Sequence, residues 1–252
     1  MIKFFRKIRQ NMINENKTGK YLKYAIGEIV LVVIGILIAL SINNWNELKK
    51  DQLFELKMLK EIQKGLDSDI AYFKRMSLRL FKLDSASKKM IRLVHEKAKF
   101  KDTLYKNGFR RWYNLRTGIN YQYNSGPYEA LKASGLDKLT NDSLRNSLID
   151  FYDFMAPRHK ALVAYSDREY DKDVTVLESF LSDPFTEIEN GEVKVYSKFP
   201  EDLFLQIDFL ELLRNINTRA RISRNYIDRH IPLMEDLFNQ IKTEIENDQI
   251  LP

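Results

Sequence analysis

The chain has 252 residues, 44% of them hydrophobic, with no cysteine and a formal net charge of +6. The missing cysteines exclude disulfides, cysteine nucleophiles and cysteine metal sites. Residues 1–23 hold seven basic residues and one acid, so they carry the whole net charge and the rest of the chain is balanced. The basic composition therefore gives no reason to expect nucleic acid as a partner, and the few Gly and Pro residues argue against a many-turned β protein.

Residues 1–23 are predicted to form a basic cytoplasmic tail. Anionic membrane lipid is the partner that such a tail favours. Apolar residues recur at helical spacing among the basic ones, as in a helix that lies in the membrane interface; they are Phe4, Phe5, Ile8 and Met12. A disordered tail that only sets the topology explains the same composition.

Residues 24–43, YAIGEIVLVVIGILIALSIN, are predicted to form a single transmembrane helix. Residues 29–40 are an unbroken apolar run, whereas a buried helix of a soluble protein normally shows a polar face. Tyr24 and Trp45 bracket the segment, and at 1.5 Å per residue they lie about 31 Å apart along a helix. This separation matches a hydrocarbon core of about 30 Å with aromatic residues at its two surfaces.

The charge asymmetry predicts the orientation, because Lys and Arg accumulate on the cytoplasmic flank of a membrane helix. We expect the N-terminus in the cytoplasm and residues 44–252 outside, which is the periplasm for a protein of the bacterial inner membrane. The alternative is a cleaved secretory signal peptide, since residues 39–41 resemble a small-residue cleavage site. The apolar run is, however, longer than the usual core of about 7–15 residues in such peptides.

Glu28 lies about one turn inside the cytoplasmic end of the predicted span. A carboxylate at this depth can reach toward the cytoplasm, where it costs little. Alternatively, it pairs with a polar or basic residue of another membrane helix. Gly27, Gly35 and Ala39 would help such a contact, because their spacings of eight and four place small residues on one stripe. This second interpretation predicts a membrane-protein partner or a homo-oligomer.

After the span, apolar residues at steps of three and four predict a long amphipathic stalk helix that continues the membrane helix. They are Leu59, Ile62, Leu66, Ile70, Phe73, Met76, Leu80 and Leu83. We expect this helix to break around residues 84–87. Met90, Ile91 and Val94 then begin a second helix or extend the first.

Residues 101–126 lose the helical period and become aromatic. This segment and the helix after it hold a cluster of arginine and aromatic residues, namely Arg110, Arg111, Trp112, Tyr113, Tyr121, Tyr123 and Tyr128. Such residues dominate binding hot spots and can hold ligands by stacking. The cluster is therefore the predicted ligand or partner surface. The alternative is that these rings fill the core beneath a long irregular connection.

Shorter helices are predicted over residues 128–133, 142–155 and 159–181. Pro127 suits the first turn of the first of them. Thr140 or Asn141 can cap the second. Pro157 is expected to stop or kink that helix before the third begins.

Residues 185–196, FTEIENGEVKVY, predict a small β-hairpin. Asn190 and Gly191 accept the positive φ of a type I′ turn, which pairs Ile188 with Val193 across the strands. A last long helix opens at residues 200–202. The predicted fold is thus mainly α, with an external antiparallel helical bundle and one small β-hairpin joined to the transmembrane helix by the stalk.

Four segments carry a family resemblance: MIKFFRKIRQNMI followed by ENK, then KYAIGEIVLVVIGILIALSINNWNE, YEALKASGLDKL and NDSLRNSL. Together they resemble a family of uncharacterised single-pass bacterial membrane proteins, domain of unknown function 6090. The membrane segment is the most specific of them, and the C-terminal third matches mainly in helical character. The resemblance implies an anchored, largely helical external domain and supplies no catalytic residue.

Candidate catalytic and metal residues are few. The sequence contains no HExxH, Walker A, GxGxxG or GxSxG motif. The three histidines, His95, His159 and His230, have no familiar zinc spacing, so we expect them at the surface or satisfied in the core. Two carboxylate pairs, Asp67 with Asp69 and Asp171 with Asp173, lie two residues apart. Such residues do not share a helix face, which favours solvated positions for them.

The sequence therefore favours a non-enzymatic, membrane-anchored helical module that binds a protein, a small ligand or an envelope component, with no cofactor. A tail of 23 residues is too short to fold as an output domain, so any signal needs a partner subunit in the membrane. The alternative is an enzyme of the envelope with an unrecognised site built from Asp, Glu, Arg and Tyr.

Overall fold

The computed structural model describes residues 18–98, 114–180, 182–198, 200 and 202–248. Within them the chain is mainly helical, with one short strand pair. It falls into two compact units, residues 1–55 and residues 56–252. Most of the predicted basic tail lies outside the described residues.

Helix α1 runs from Thr18 to His95. The part of α1 in the first unit contains a very apolar stretch, with a mean hydropathy of 2.8 over 18 residues and none of it buried. Leu31, for example, is 73% exposed. Among the described residues, α1 is the one helix that is long and apolar enough to cross a membrane.

In the second unit, α1 turns the predicted apolar stripe from Leu59 to Leu83 into the core, where every position of the stripe is buried. The predicted break around residues 84–87 is wrong, because the helix continues through them. The polar residues at this point are satisfied within the helix or by Asn217, which lies far along the chain. The Ser87 hydroxyl donates to the Asp84 carbonyl at 3.0 Å, and the Asn217 amide donates to Asp84 Oδ1 at 2.7 Å.

Among the described residues, five further helices belong to the second unit: α2 Gly126–Ser134, α3 Asp142–Ile149, α4 Ala156–Asp167, α5 Tyr170–Ser179 and α6 Ile207–Asp248. Short 3₁₀ turns occupy Leu136–Lys138 and Leu203–Leu205. Asn141 is the N-cap of α3, as predicted, since its side chain accepts the Leu144 N–H at 3.0 Å.

A π-helical turn, Asp150–Met155, joins α3 to α4. Pro157 therefore does not stop the helix, and it lies in the first turn of α4. Proline has no N–H, and its ring would collide with the Asp153 carbonyl in a regular α-helix. A wider turn at this point relieves the collision. The predicted helix 159–181 is instead two helices, because α4 ends at Asp167 and α5 begins at Tyr170.

Strands β1 (Ser182–Glu189) and β2 (Glu192–Lys198) form an antiparallel pair. Asn190 and Gly191 lie between them with φ values of 52° and 81°. These values fall in the left-handed region, which a type I′ turn requires at both positions. Ile188 pairs with Val193, as the sequence predicts.

The core of the second unit forms around α6, which packs against α4 and meets α1. Fully buried apolar residues follow one face of α6, namely Phe209, Leu213, Ile216, Ala220, Ile227, Met234 and Ile241. Polar contacts border this interface. Lys74 pairs with Glu235 at 2.7 Å, and the Ser77 hydroxyl donates to Asp228 at 2.5 Å. The residue numbers of the α6 partners fall as those on α1 rise.

Candidate functional site

Residues 116–125 form an irregular connection that leads into α2 and crosses the helices of the second unit. Its backbone cannot form a helical ladder, so its polar groups need other partners. Side chains of α1, α4, α5 and α6 supply several of them. The connection is the part of the described chain where polar side chains converge, and the candidate site is built around it.

Two side chains of α1, one helical turn apart, hold the end of the connection. The Tyr72 hydroxyl donates to the Asn120 carbonyl, and Asp69 Oδ2 accepts the Asn124 N–H at 2.7 Å. Gly65 lies one turn earlier on α1. A Cβ at Gly65 would lie 3.2 Å from the Asn124 side-chain nitrogen, so the missing side chain lets the connection approach α1 closely.

Arg219 of α6 holds the beginning of the connection. Its Nη1 donates to Asp167 Oδ1 at 2.6 Å and to the Thr117 carbonyl at 3.3 Å, and its Nε donates to Asp173 Oδ2 at 3.2 Å. Asp167 also accepts the Ile119 N–H at 3.2 Å. Burial raises the pKa of both carboxyl groups, while the guanidinium opposes that change. This buried ion cluster ties the connection to α4, α5 and α6.

The predicted solvent exposure of Asp173 is wrong. The sequence analysis expected Asp173 in solvent, because Asp171 and Asp173 do not share a helix face. Asp173 is instead 5% exposed. Its charge is compensated by Arg219, which lies 46 residues further along the chain, and helical spacing alone does not reveal such a partner.

Tyr170 of α5 packs directly on the connection. Its hydroxyl donates to the Arg116 carbonyl at 2.9 Å, and its ring covers Gly118. A Cβ at Gly118 would come within 2.8 Å of the ring, so only glycine leaves room for it. The Arg219 guanidinium lies 5.0 Å from the centroid of the same ring.

His230 of α6 is fully buried at the centre of a group of rings. Phe151 stacks on it with 5.4 Å between centroids, and Phe73 and Tyr121 each lie 5.7 Å away. The His159 ring is 4.5 Å away. Burial, with His159 as the second cause, lowers the pKa of His230 to about 3, so the ring is neutral.

His230 therefore lies in the core, but not as a satisfied histidine. Neither of its ring nitrogens has a hydrogen-bond partner among the residues that the structure describes. The hydroxyls of Tyr121 and Tyr152 are also buried without a hydrogen-bond partner among the described residues. Each such group costs free energy, because it has lost water without gaining a partner.

The predicted binding cluster divides into three parts. Arg110, Arg111, Trp112 and Tyr113 lie outside the described residues. Tyr121 and Tyr128 are buried, and Tyr128 stacks on Tyr152 with 4.6 Å between centroids while its hydroxyl donates to Asp153 at 3.0 Å. Tyr123 is only half-buried and faces an open cleft.

That cleft, of roughly 330 Å³, lies between α1 and the connection. Its walls are Asp69, Tyr72, Gln122, Tyr123 and Asn124. Burial raises the pKa of the half-buried Asp69 carboxyl and outweighs the opposing effect of the Asn124 N–H. Burial also raises the pKa of both tyrosine hydroxyls. Among the described residues, no Lys, Arg or His forms an ion pair with Asp69.

The residues singled out in the predicted span lie on the apolar part of α1. A Cβ added at Gly27 or at Gly35 would meet nothing within 4 Å, and Ala39 is exposed. Glu28 has intermediate exposure. The proposed contact with a second membrane helix therefore stays a prediction.

Sequence reasoning missed Asp69 and Tyr72 as a pair, and it missed Arg219 altogether. Asp69 and Tyr72 are three positions apart on α1, and such residues share a helix face. Arg219 follows the buried Ile216 by three positions, and a cation at an apolar position of a helix indicates a buried partner. Within the described ranges, no group of three His, Asp or Glu residues could hold a metal ion.

Comparison with known proteins adds one match. A family model described as a family of unknown function, DUF6090, matches residues 28–216. No curated protein and no solved structure matches the chain.

Proposed function

The chain belongs to the family of unknown function DUF6090, and we propose that it is a single-pass membrane protein whose external helical domain binds a ligand or a partner without catalysing a reaction. One observation carries the proposal. The apolar part of α1 has no buried residue in its most apolar window, whereas residues 56–252 form a unit with its own core.

Exposure of the apolar segment supports the membrane anchor. Side chains such as Leu31, Ile36 and Ile42 are 73%, 55% and 62% exposed. Each large apolar side chain left in water forgoes about 1.5–3 kcal/mol relative to full burial. A bilayer offers all of them an apolar environment, and a helix satisfies its own backbone there.

Charge supports the orientation. The flank before the segment carries seven basic residues and one acid, while the flank NNWNELKKD is balanced. The N-terminus is then cytoplasmic, and the external domain is periplasmic in a bacterial inner membrane. Lipid contacts the span and the basic tail, and a second membrane protein or another copy of the chain is the proposed partner of Glu28 and its small-residue stripe.

The contacts between α1 and α6 support an antiparallel helical bundle, because Lys74, Ser77 and Asp84 of α1 meet residues of steadily lower number on α6. The strand pair with its left-handed Asn190 and Gly191 supports a β-hairpin on this bundle. The external unit is thus proposed as a helical scaffold. The irregular connection crosses it and carries the open cleft.

An envelope enzyme is the second candidate, and the raised pKa of Asp167 and Asp173 is the observation in its favour. Both carboxylates, however, are engaged by the Arg219 guanidinium. A general acid or base must reach a substrate. An ion cluster that ties the connection to three helices suits a structural role better, so binding is the preferred function.

Membrane fractionation tests the anchor. We expect the full chain to stay in the membrane pellet after carbonate extraction, and its C-terminal domain to be digested by protease in spheroplasts but not in intact cells. Ile34→Arg combined with Leu37→Arg, in the middle of the apolar run, should release the protein. Lys49→Arg with Lys50→Arg is the matched control and should leave it in the pellet. A mature chain in the soluble fraction would instead support a cleaved signal peptide.

Affinity purification of the full chain from mild detergent tests the binding role. We expect a membrane-protein partner or a second copy to co-purify. Glu28→Gln should reduce that recovery if the carboxylate forms the intramembrane contact, and Glu47→Gln, outside the span, should not. Recovery of a monomer alone, unchanged by Glu28→Gln, would remove the intramembrane partner from the proposal.

A further inference from the structure

We propose that the cleft between α1 and the connection binds a small organic ammonium ion, held by the Asp69 carboxylate and the rings of Tyr72 and Tyr123. This inference rests on the proposed binding function and adds the chemical class of the ligand. It follows from the charge, the rings and the size of the cleft.

Asp69 supplies the negative charge. Its Oδ2 accepts one hydrogen bond, from the Asn124 N–H at 2.7 Å, and the side chain is half-buried. Among the residues that the structure describes, no cation pairs with it. A carboxylate withdrawn from water without an opposite charge is costly. A bound cation would compensate it, as Arg219 compensates Asp167 and Asp173 elsewhere in the domain.

The two tyrosines supply the aromatic walls. Tyr72 is held by its hydrogen bond to the Asn120 carbonyl and by the edge of Phe73, with 5.4 Å between centroids. The ring centroids of Tyr123 and Tyr121 are 6.2 Å apart, so the Tyr123 ring is also held by a neighbouring ring. Faces of fixed aromatic rings attract ammonium groups, and quaternary ammonium ions above all.

Asp69 is the one charged residue among the described walls of the cleft, and its carboxylate favours a cation over an anion. Burial, and after it the carboxylates of Glu129 and Asp153, raise the pKa of the Tyr123 hydroxyl, so two further acidic groups lie near that side of the cleft. Lys132 partly offsets Asp153, with which it pairs at 2.8 Å. On the other side, burial raises the pKa of the Tyr72 hydroxyl, and Arg79 and Arg75 oppose that rise without pairing with Asp69.

The size and polarity of the cleft restrict the class of ligand further. A volume of roughly 330 Å³ lies at the lower end of the range for small-molecule sites. A neutral polyol would fit by volume but would leave the Asp69 charge uncompensated. An organic ammonium ion uses both the carboxylate and the rings.

Calorimetric titration of the full chain in detergent micelles tests the proposal, with choline as the probe. Its neutral isostere, 3,3-dimethyl-1-butanol, has the same shape without the charge, and glucose represents a neutral polyol. We expect saturable binding of choline, with the isostere at least tenfold weaker, since the isostere lacks the positive charge that compensates the Asp69 carboxylate.

Variants locate the site. Asp69→Asn keeps the shape and an acceptor for the Asn124 N–H and should weaken choline binding about tenfold or more. Tyr123→Leu removes one ring and should weaken it by about twofold to fivefold. Asp67→Asn is the matched control, because its exposed carboxylate lies two residues away on another face of α1, and it should bind choline as the unmodified chain does.

Several outcomes overturn the proposal: no saturable binding of choline, equal binding of the isostere, undiminished binding by Asp69→Asn, or binding of glucose in place of choline. If Asp69→Asn shows no cooperative unfolding transition, the variant is not properly folded. The binding of choline by Tyr123→Leu and the comparison with the isostere on the unmodified chain then test the proposal. The titration does not depend on a membrane. A failure here therefore leaves the anchor and its orientation standing, and a wrong orientation leaves the titration unaffected.

Discussion

Arg219 Nη1 and Asp167 Oδ1 lie 2.6 Å apart, and both side chains are largely withdrawn from water. Asp173 completes the cluster from α5 at 3.2 Å. One guanidinium thus compensates two carboxylates and, through the Thr117 carbonyl, fixes the start of the connection. The cluster makes the domain sensitive to the loss of a single charge.

We expect Arg219→Met to lower the free energy of unfolding by about 3–5 kcal/mol, because it leaves two buried carboxylates without a cation. Urea unfolding of the full chain in micelles, followed by circular dichroism, measures this. The triple variant that adds Asp167→Asn and Asp173→Asn should recover part of the loss. Arg221→Met, at an exposed position, is the control. Equal stability of the Arg219 and Arg221 variants would contradict a structural role for the cluster.

His230 predicts a pH dependence of stability. Its pKa is about 3 in the folded protein and about 6.5 in an unfolded chain, so only the unfolded chain takes up a proton between these values. Stability should therefore fall as the pH drops from about 6.5 toward 3, by about 1.4 kcal/mol per pH unit from this group. The raised pKa values of Asp69, Asp167 and Asp173 act in the opposite direction.

His230→Phe isolates that contribution. The variant should lose the acid destabilisation and should be at least as stable at neutral pH, because two unpaired ring nitrogens disappear from the core. Thermal unfolding at several pH values between 4 and 8 is the measurement. His95→Gln, at an exposed position, should keep the full pH dependence. Parallel pH curves for the unmodified chain and His230→Phe would disprove the assignment.

Gly118 predicts a steric effect. Gly118→Ala would place a methyl group 2.8 Å from the Tyr170 ring, and overpacking of this kind costs about 1–3 kcal/mol. Gly126→Ala meets an atom only at 3.4 Å and is the control. In a Tyr170→Leu background the cost of Gly118→Ala should shrink, and additive losses in the double variant would show that the ring is not the cause.

The two contacts of Asn141 predict two separable losses of folding stability. Its side-chain oxygen caps α3, and its amide donates to Glu244 of α6 at 2.7 Å. Asn141→Ala removes both contacts and should cost about 1–2 kcal/mol, whereas Asn141→Ser keeps a capping oxygen and should cost less. Thermal unfolding compares the two variants. The same loss for Ser and Ala would assign the effect to Glu244 rather than to the cap.

The sequence predicted the long helices well, because their apolar positions recur with one period over many turns. Leu59, Leu66 and Leu80 lie in the core, as their spacing requires. The predicted break around residues 84–87 was wrong, because the partner of these polar residues is distant in the sequence. Local polarity indicated a helix end, but Asn217, far along the chain, satisfies Asp84 and Ser87.

The site was less predictable, because it depends on contacts between distant segments. Spacing within a helix placed Asp173 in solvent, and only the fold brings Arg219 to it. Composition singled out the tyrosines of the connection without separating buried Tyr121 from half-buried Tyr123. Tyr121 packs against Phe73 of α1 and His230 of α6, whereas Tyr123 lines the open cleft, and helical or strand spacing does not reveal either environment.

The π turn at Asp150–Met155 has a consequence for any alignment of this family. It holds one residue more per turn than the α-helices on either side. The apolar phase of α3 therefore does not extend into α4, and a comparison that follows helical phase across this point needs a one-residue gap within residues 150–155. A one-residue deletion there would restore an uninterrupted α-helical count and keep Val163 on the core face, but it would bring the Pro157 ring against the preceding carbonyl that the wider turn avoids.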